Sequence, residues 1–238
     1  MSISLEDFEK VKAEVMKKPY AHKNITASPK DGLSYLRYRL KRPLIKSRYL
    51  KYQKDHPNEP WLCPDAIKIL NVLSSYFSNG LEYGSGRSTS YFAPFFEKYV
   101  SIEHEEDWYQ NVKEKIADLP QVEYYLVKPE NEAPQQHLSS EEQVFFTKEE
   151  YPISDEVFTS YTNFILSYED GYFDFILIDG RARRTCALNS IEKLKSGGIL
   201  ILDNSERKRY QKVHQALRSW PKIETTTGLT DTTIWRKP

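Results

Sequence analysis

The chain has 238 residues, with 34 Lys and Arg against 34 Asp and Glu, a formal net charge of zero. That length suits one domain, or one domain with an elaboration. No run of about 18 apolar residues is present to span a membrane, and the N-terminus MSISLEDFEK lacks the basic and apolar regions of a secretory signal.

Two cysteines, Cys63 and Cys186, are too few for a disulfide framework or a zinc cluster. They read as buried thiols in a cytoplasmic, reducing setting. With 4 Trp, 17 Tyr and 11 Phe, aromatic area compensates for a modest aliphatic content. Charge is segregated. Residues 1–60 carry 14 basic and 7 acidic side chains, residues 97–170 carry 5 and 18, and residues 171–238 carry 13 and 7. Such blocks predict faces of different sign. Overall neutrality, with no interleaving of aromatic and basic residues, argues against a nucleic-acid partner.

In chain order, residues 4–18 read as a helix. Ser4 caps it, Leu5, Phe8, Val11 and Val15 share a face, and Pro19 stops it. Residues 32–54 read as a second helix, with Leu33, Leu36, Leu40 and Leu44 at near-helical spacing and an Arg/Lys-rich polar face. Pro43 should kink or divide it. This basic helix reads either as an appendage packed on the body or as a cover for an anionic substrate or partner. Pro64 opens a helix over 65–77.

From residue 80 apolar runs alternate with amphipathic stretches. Strands are expected at 81–83, 99–103, 122–127, 173–178 and 199–202. Helices are expected from the glycine turn to about Lys98, then at 106–118, 158–168, 182–195 and 207–220. The runs FDFILI and ILIL suit strands buried on both faces. Residues 129–157 are acidic and aperiodic and read as an insertion or lid. Residues 223–227 and 232–236 flank Gly228–Asp231 as a hairpin. The organisation expected is an N-terminal helical appendage over 1–60 and a main α/β domain over 61–238.

In a parallel α/β sheet, ligands bind beyond the carboxyl ends of the strands. Glu82-Tyr83-Gly84-Ser85-Gly86-Arg87-Ser88-Thr89 follows the first strand and opens a helix, where glycines allow a tight turn and the helix start favours an anion. Glu103 ends the second strand. It reads as an acceptor for two ribose hydroxyls, or as an exposed carboxylate of the run 103–107. Turn and acid together point to a nucleoside ligand. A dinucleotide fingerprint would need a third glycine at position 89, which is threonine.

The segments EYGSG (Glu82–Gly86), Glu103, FDFILIDG (Phe173–Gly180) and SGGILILDN (Ser196–Asn204), with the terminal hairpin, resemble the class I S-adenosylmethionine-dependent methyltransferases over about residues 64–238. The resemblance implies a Rossmann-like seven-stranded sheet, mostly parallel with an antiparallel C-terminal hairpin and helices on both faces. It implies S-adenosylmethionine as cofactor. Glu82, Tyr83, Gly84, Ser85 and Gly86 would cradle its amino-acid end. Ser88 and Thr89 would add hydroxyl contacts, Glu103 would hold the ribose, and His104 would flank the adenosine. Asp179 would contact the cofactor and, with His104, serve catalysis by positioning the acceptor or a metal.

Asp179, Asp203 and Asn204, after the fourth and fifth strands, are hard oxygen ligands suited to Mg²⁺ or another divalent cation. In this they are similar to the divalent-metal O-methyltransferases, whose metal holds the substrate hydroxyl. Where those enzymes place a lysine base, this chain has Arg181, Arg183 and Arg184. Arg181 and Arg183, with Asn204, suit a small anionic acceptor such as a sugar acid or an aromatic acid. Pairing of these arginines with the chain's own acids is the alternative. His104 and His214 are candidate bases, His104 the better placed. His22, His56 and His137 lie in segments away from the strand ends.

The expected activity is methylation of an acceptor oxygen. The alternative is a non-catalytic nucleoside-binding or protein-interaction module on the same fold, and the third reading is a nicotinamide-dependent oxidoreductase. The N-terminal helices are expected to mediate any homodimer, with no membrane partner.

Overall fold

Two apolar runs set the centre of the molecule. In the computed structural model, which describes residues 2–22, 32–130 and 155–238, strand β4 (Phe173–Ile178) is buried at every position. Strand β5 (Leu194–Asp203) is buried from Gly197 onward. Both faces of these strands are therefore covered. Alternate side chains point to opposite faces. Phe175 and Leu177 join one core with Leu70 and Phe92, while Ile176 and Ile178 join the other with Tyr161 and Trp235.

Around this pair lie β1 (Asn79–Tyr83), β2 (Lys98–Glu103), β3 (Val122–Leu126), β6 (Lys222–Thr226) and β7 (Asp231–Arg236). The sheet order is β3-β2-β1-β4-β5-β7-β6. Strands β1 to β5 run parallel, and β7 inserts antiparallel between β5 and β6. This is the seven-stranded arrangement expected from the sequence. The chain builds outward from β1 to β3 and then returns to place β4 on the other side of β1. The order reverses there, which opens a crevice at the carboxyl ends of β1 and β4.

Seven helices matter here besides one at the N-terminus. They are α2 (Gly32–Asp55), α3 (Pro64–Leu73), α4 (Arg87–Phe92), α5 (Glu106–Lys115), α6 (Thr159–Asn163), α7 (Arg183–Lys193) and α8 (Gln211–Ala216). Several end sooner than their periodicity suggests. Pro94 turns the chain after α4 into a short 3-10 turn, and α6 is one turn of α-helix between two 3-10 turns. Strand β5 begins at Leu194, so the Gly197-Gly198 pair lies inside it, beside a register shift at Phe173 and Phe175.

Helix α1 (Leu5–Val15) is built into the body. Ser4 caps it by accepting a hydrogen bond from the Asp7 amide at 3.0 Å. Ile3 and Phe8 are fully buried in the first core. The Ile3 amide donates to Gly197 O at 3.3 Å, and Arg236 Nε donates to Ile3 O at 2.9 Å. The boundary expected near residue 60 thus leaves α1 sharing a core with the main domain.

Helix α2 corrects two expectations. It stays one helix across Pro43, which is exposed, so water can satisfy the carbonyl freed one turn earlier. Its leucine face also does not pack. Tyr38 is buried instead, Tyr49 OH donates to Leu62 O at 3.2 Å, and the Tyr52 ring meets Tyr20 edge-on at 5.5 Å. Most of the acidic stretch 129–157, with His137, lies outside the described residues. No helix among those described is long and apolar enough to cross a membrane. Cys63 and Cys186 are both free thiols and buried.

Candidate functional site

The crevice begins where two backbones touch. Strands β1 and β4 are neighbours, and each runs into a glycine just past its end. The Asp179 amide donates to Tyr83 O, and the Gly84 amide to Ile102 O, both at 2.9 Å. Gly84 has φ +91°, a left-handed value that favours glycine. A Cβ on Gly84 would lie 2.6 Å from Gly180 N and Cα. A Cβ on Gly180 would lie 2.1 Å from Tyr161 OH. No side chain fits at either position, so the two loops stay in contact. Tyr161 is fully buried, and its hydroxyl reaches the Arg181 backbone without forming a sound hydrogen bond. It is an orphaned polar atom at the floor of the crevice.

Beneath the glycine turn sits a buried carboxylate. Glu82 is fully buried and accepts hydrogen bonds from Thr89 Oγ1, from Ser101 Oγ at 2.7 Å and from Tyr99 OH at 3.3 Å. Thr89 Oγ1 in turn accepts from the Gly86 amide at 3.0 Å. This chain of bonds sets the shape of the turn and the start of α4. Burial pushes the Glu82 carboxyl up to about 7, against the opposing pull of those hydroxyls. Three expected ligand contacts therefore point elsewhere. The side chains of Glu82 and Thr89 face each other inside the body. Tyr83 is buried with its hydroxyl donating to Thr162 O at 3.2 Å. Only their backbone is left to the crevice.

Glu103 closes β2 beside the turn and is 2% exposed. Its Oε2 accepts from the Ser85 amide at 3.1 Å and from Ser85 Oγ at 2.8 Å. Its Oε1 accepts from the amides of His104 at 2.8 Å and Glu105 at 3.1 Å. Burial alone would raise this carboxyl, but the contacts with His104 and Ser85 outweigh it and hold Glu103 below its ordinary range. His104 Nδ1 lies 2.7 Å from Oε1, without the alignment of a hydrogen bond. The His104 ring stands edge-on to Phe158 and Tyr161, at 5.7 and 5.9 Å. Trp108, half exposed on α5, donates from Nε1 to Ser85 O at 2.8 Å and so covers the turn. Tyr124 OH bonds Ser85 Oγ at 2.7 Å.

These residues fit the cofactor expected from the sequence. An ionised Glu103 can trade the Ser85 hydroxyl for a ribose hydroxyl, and the close glycine backbones leave room for an extended amino-acid tail. Tyr124, Trp108, Phe158 and Tyr161 join the site only through folding. No local spacing ties them to residues 84 or 103.

Across the crevice, Arg183 gathers the ends of β4 and β5. Its Nε donates to Gly180 O at 2.9 Å, and its Nη1 to Asp203 O at 2.7 Å and Asp203 Oδ2 at 3.3 Å. Its Nη2 donates to Asp179 O and contacts Asp179 Oδ1, both at 2.7 Å. Two expectations change as a result. Arg183 has no donor left for a substrate and instead positions the two acids. The divalent-cation site does not fit either, because the guanidinium already pairs with both Asp179 and Asp203. Asp203 Oδ1 is taken by Thr232 Oγ1 at 2.8 Å. Among the described residues no three His, Cys, Asp or Glu side chains converge on one point.

Asn204 has φ +54° and carries the turn after β5. Ala182 is also left-handed, at φ +45°. Two strained positions thus flank the Arg183 cluster, as is common at functional sites. His214 Nε2 bonds Ser205 O at 2.9 Å, and its ring packs on Trp235, so it serves the fold rather than the crevice. Arg181 stays exposed at the rim. Asp179 keeps 26% of its side chain exposed. Burial, with Asp203 and Glu82 nearby, pushes its carboxyl up to about 7 despite Arg183.

No family model matches the chain, and no curated protein matches it. Solved structures similar to it include a methyltransferase-like protein from Silicibacter pomeroyi, at 22% identity over 76% of this chain and 89% of that one, TM-score 0.49. The N-methyltransferase NodS from Bradyrhizobium japonicum, in complex with S-adenosyl-L-homocysteine, is 16% identical over 68% and 79%, TM-score 0.41. A tRNA (m1A58) methyltransferase, TrmI from Aquifex aeolicus, is 11% identical over 71% and 67%, TM-score 0.45. These likenesses are too weak to transmit an activity. By its own strand order, antiparallel β7 and crevice after β1 and β4, the chain has the Rossmann-like fold of the class I methyltransferases.

Proposed function

We propose that the chain transfers a methyl group from S-adenosylmethionine to an oxygen of a small, anionic acceptor. The observation that carries this reading is the ionised Glu103 at the end of β2, set beside the Gly84–Gly180 contact and across from Asp179. When bound, the cofactor supplies an activated methyl group. Glu103 would accept hydrogen bonds from its ribose, and the backbone of Gly84–Gly86 would hold its amino-acid end. Asp179, titrating near neutrality, is suited to take the proton from the acceptor hydroxyl. Arg181, exposed at the same rim, suits the acceptor's negative group.

Titration calorimetry with S-adenosylhomocysteine tests the cofactor half. Wild type is expected to bind it, and Glu103→Ala to bind about tenfold or more weakly, the usual loss for a hydrogen bond to a charged group. NAD is expected to give no heat. Equal affinity for wild type and Glu103→Ala would remove the basis of the proposal.

The pH dependence tests Asp179. The base must be ionised to work, so the rate should climb through pH about 7 and level off above it. Asp179→Asn should lower the rate and flatten the profile while cofactor affinity stays near wild type. An unchanged profile in Asp179→Asn would assign the proton to another group. The alternative reading is a nucleoside-binding module without turnover. Both Glu103 oxygens are already satisfied by the chain itself, so a ribose must displace the Ser85 hydroxyl in either reading.

A further inference from the structure

Helix α2 has two apolar sides. Tyr38, Ile45, Tyr49 and Tyr52 lie toward the body. Leu33, Leu36, Leu40 and Leu44 project away from it and are 71%, 58%, 73% and 74% exposed. At 100° per residue they form one stripe, about 17 Å long. Arg37 and Lys41 border one edge of the stripe, and Arg39 and Lys46 border the other, while Arg48 stacks on the Tyr20 ring of the body. The helix as a whole carries eight Lys and Arg against a single acid, Asp55. Four leucines in water are costly, and each represents a methylene-rich surface that a partner could bury.

The charge decides among partners. A second copy docking through the same face would set one strongly basic helix against another, so the sequence expectation of a dimer here meets repulsion. Nucleic acid would satisfy the cations but leave the leucines in water. A flat anionic bilayer satisfies both. Leucines enter the boundary between headgroups and acyl chains, while flanking arginines and lysines meet the phosphates. The tyrosine side, packed on the body, holds the helix in the orientation this needs.

We propose that α2 seats the protein on an anionic phospholipid surface through Leu33, Leu36, Leu40 and Leu44 and their basic borders. Lying on a bilayer is physically distinct from crossing one, so the absence of a spanning helix among the described residues does not oppose it. The inference is independent of the proposed methyl transfer.

Vesicle flotation of the full chain tests it, using phosphatidylcholine alone and phosphatidylcholine with about one-third phosphatidylserine. The chain should float with the anionic vesicles only and lose binding as salt is raised. Leu40→Gln/Leu44→Gln should bind about tenfold less. Arg39→Gln/Lys46→Gln should bind about fivefold less for each cation removed. Both variants should melt with wild type, since these positions are solvent-facing. No flotation, equal flotation with neutral vesicles, or leucine variants that float like wild type would overturn the proposal. So would a dimer in sedimentation equilibrium that the same leucine changes dissolve.

Discussion

Gly180→Ala is expected to cost about 3 kcal/mol of folding stability and to abolish cofactor binding, because overpacking a site that cannot relax reaches that size. The added methyl would fall 2.1 Å from Tyr161 OH, 2.9 Å from Gly84 N and 3.0 Å from the Tyr83 carbonyl carbon. Two of these atoms are backbone. The third belongs to a fully buried ring packed against Tyr83, with centroids 5.1 Å apart. The β1 and β4 loops must separate to admit the methyl, and they are the floor of the crevice. Urea denaturation should show the lower midpoint, and calorimetry the lost binding. Tyr161→Phe removes the nearest atom and an orphaned hydroxyl, so alone it should be nearly neutral or stabilising. Combined with Gly180→Ala it should restore part of the stability. Wild-type unfolding of Gly180→Ala would show that the loops are not in contact in solution.

Arg183→Met is the second large effect, about 3 kcal/mol of destabilisation, the usual result of removing one partner from a buried ion pair. The guanidinium serves Asp179, Asp203 and the Gly180 carbonyl at once, with 13% of its side chain exposed. Without it two carboxylates face each other near the buried Glu82. The loss should depend on pH, and the sign follows from proton counting. The folded pKa of Asp179 is raised from 3.8 to about 7, so between those values the folded state binds more protons than the unfolded state. Stability therefore falls as pH rises through that window. Removing Arg183 takes away the cation that favours ionised Asp179. The variant should thus fall further below wild type near pH 8 than near pH 5. A pH-independent difference would mean that Arg183 acts through its backbone bonds alone.

Much of the fold was legible in the sequence because its signals are local. FDFILI announced β4 by its unbroken apolar run, and the Gly84–Gly86 turn announced the helix that follows β1. Glu103 was found by its place at a strand end. Helix lengths were less legible, since Pro94 and the 3-10 turns around α6 shorten helices that periodicity alone would extend. Arg183 shows the limit at the site. Its spacing from Asp179 places it at the rim, but nothing local says that Asp203 lies across from it. By sequence the guanidinium suits a substrate contact or a pairing with the chain's own acids equally, and the acids suit a metal; folding selects one ion cluster that satisfies all three.

Helix α2 shows the same limit from the other side. Its leucines recur at near-helical spacing, and by that pattern alone they should face the core. The structure packs the tyrosine side instead, because those rings find hydrogen-bond partners and aromatic neighbours in the body while the leucines find none. By itself, then, the sequence determined the alternation of strands and helices, the glycine turn and the acid at the end of β2, all properties of residues near one another in the chain. Tertiary structure decided which carboxylates are paired, which are buried and which face of α2 meets solvent. Those depend on contacts between residues far apart in the chain, and no local pattern encodes the dielectric or the partner that a side chain meets after folding.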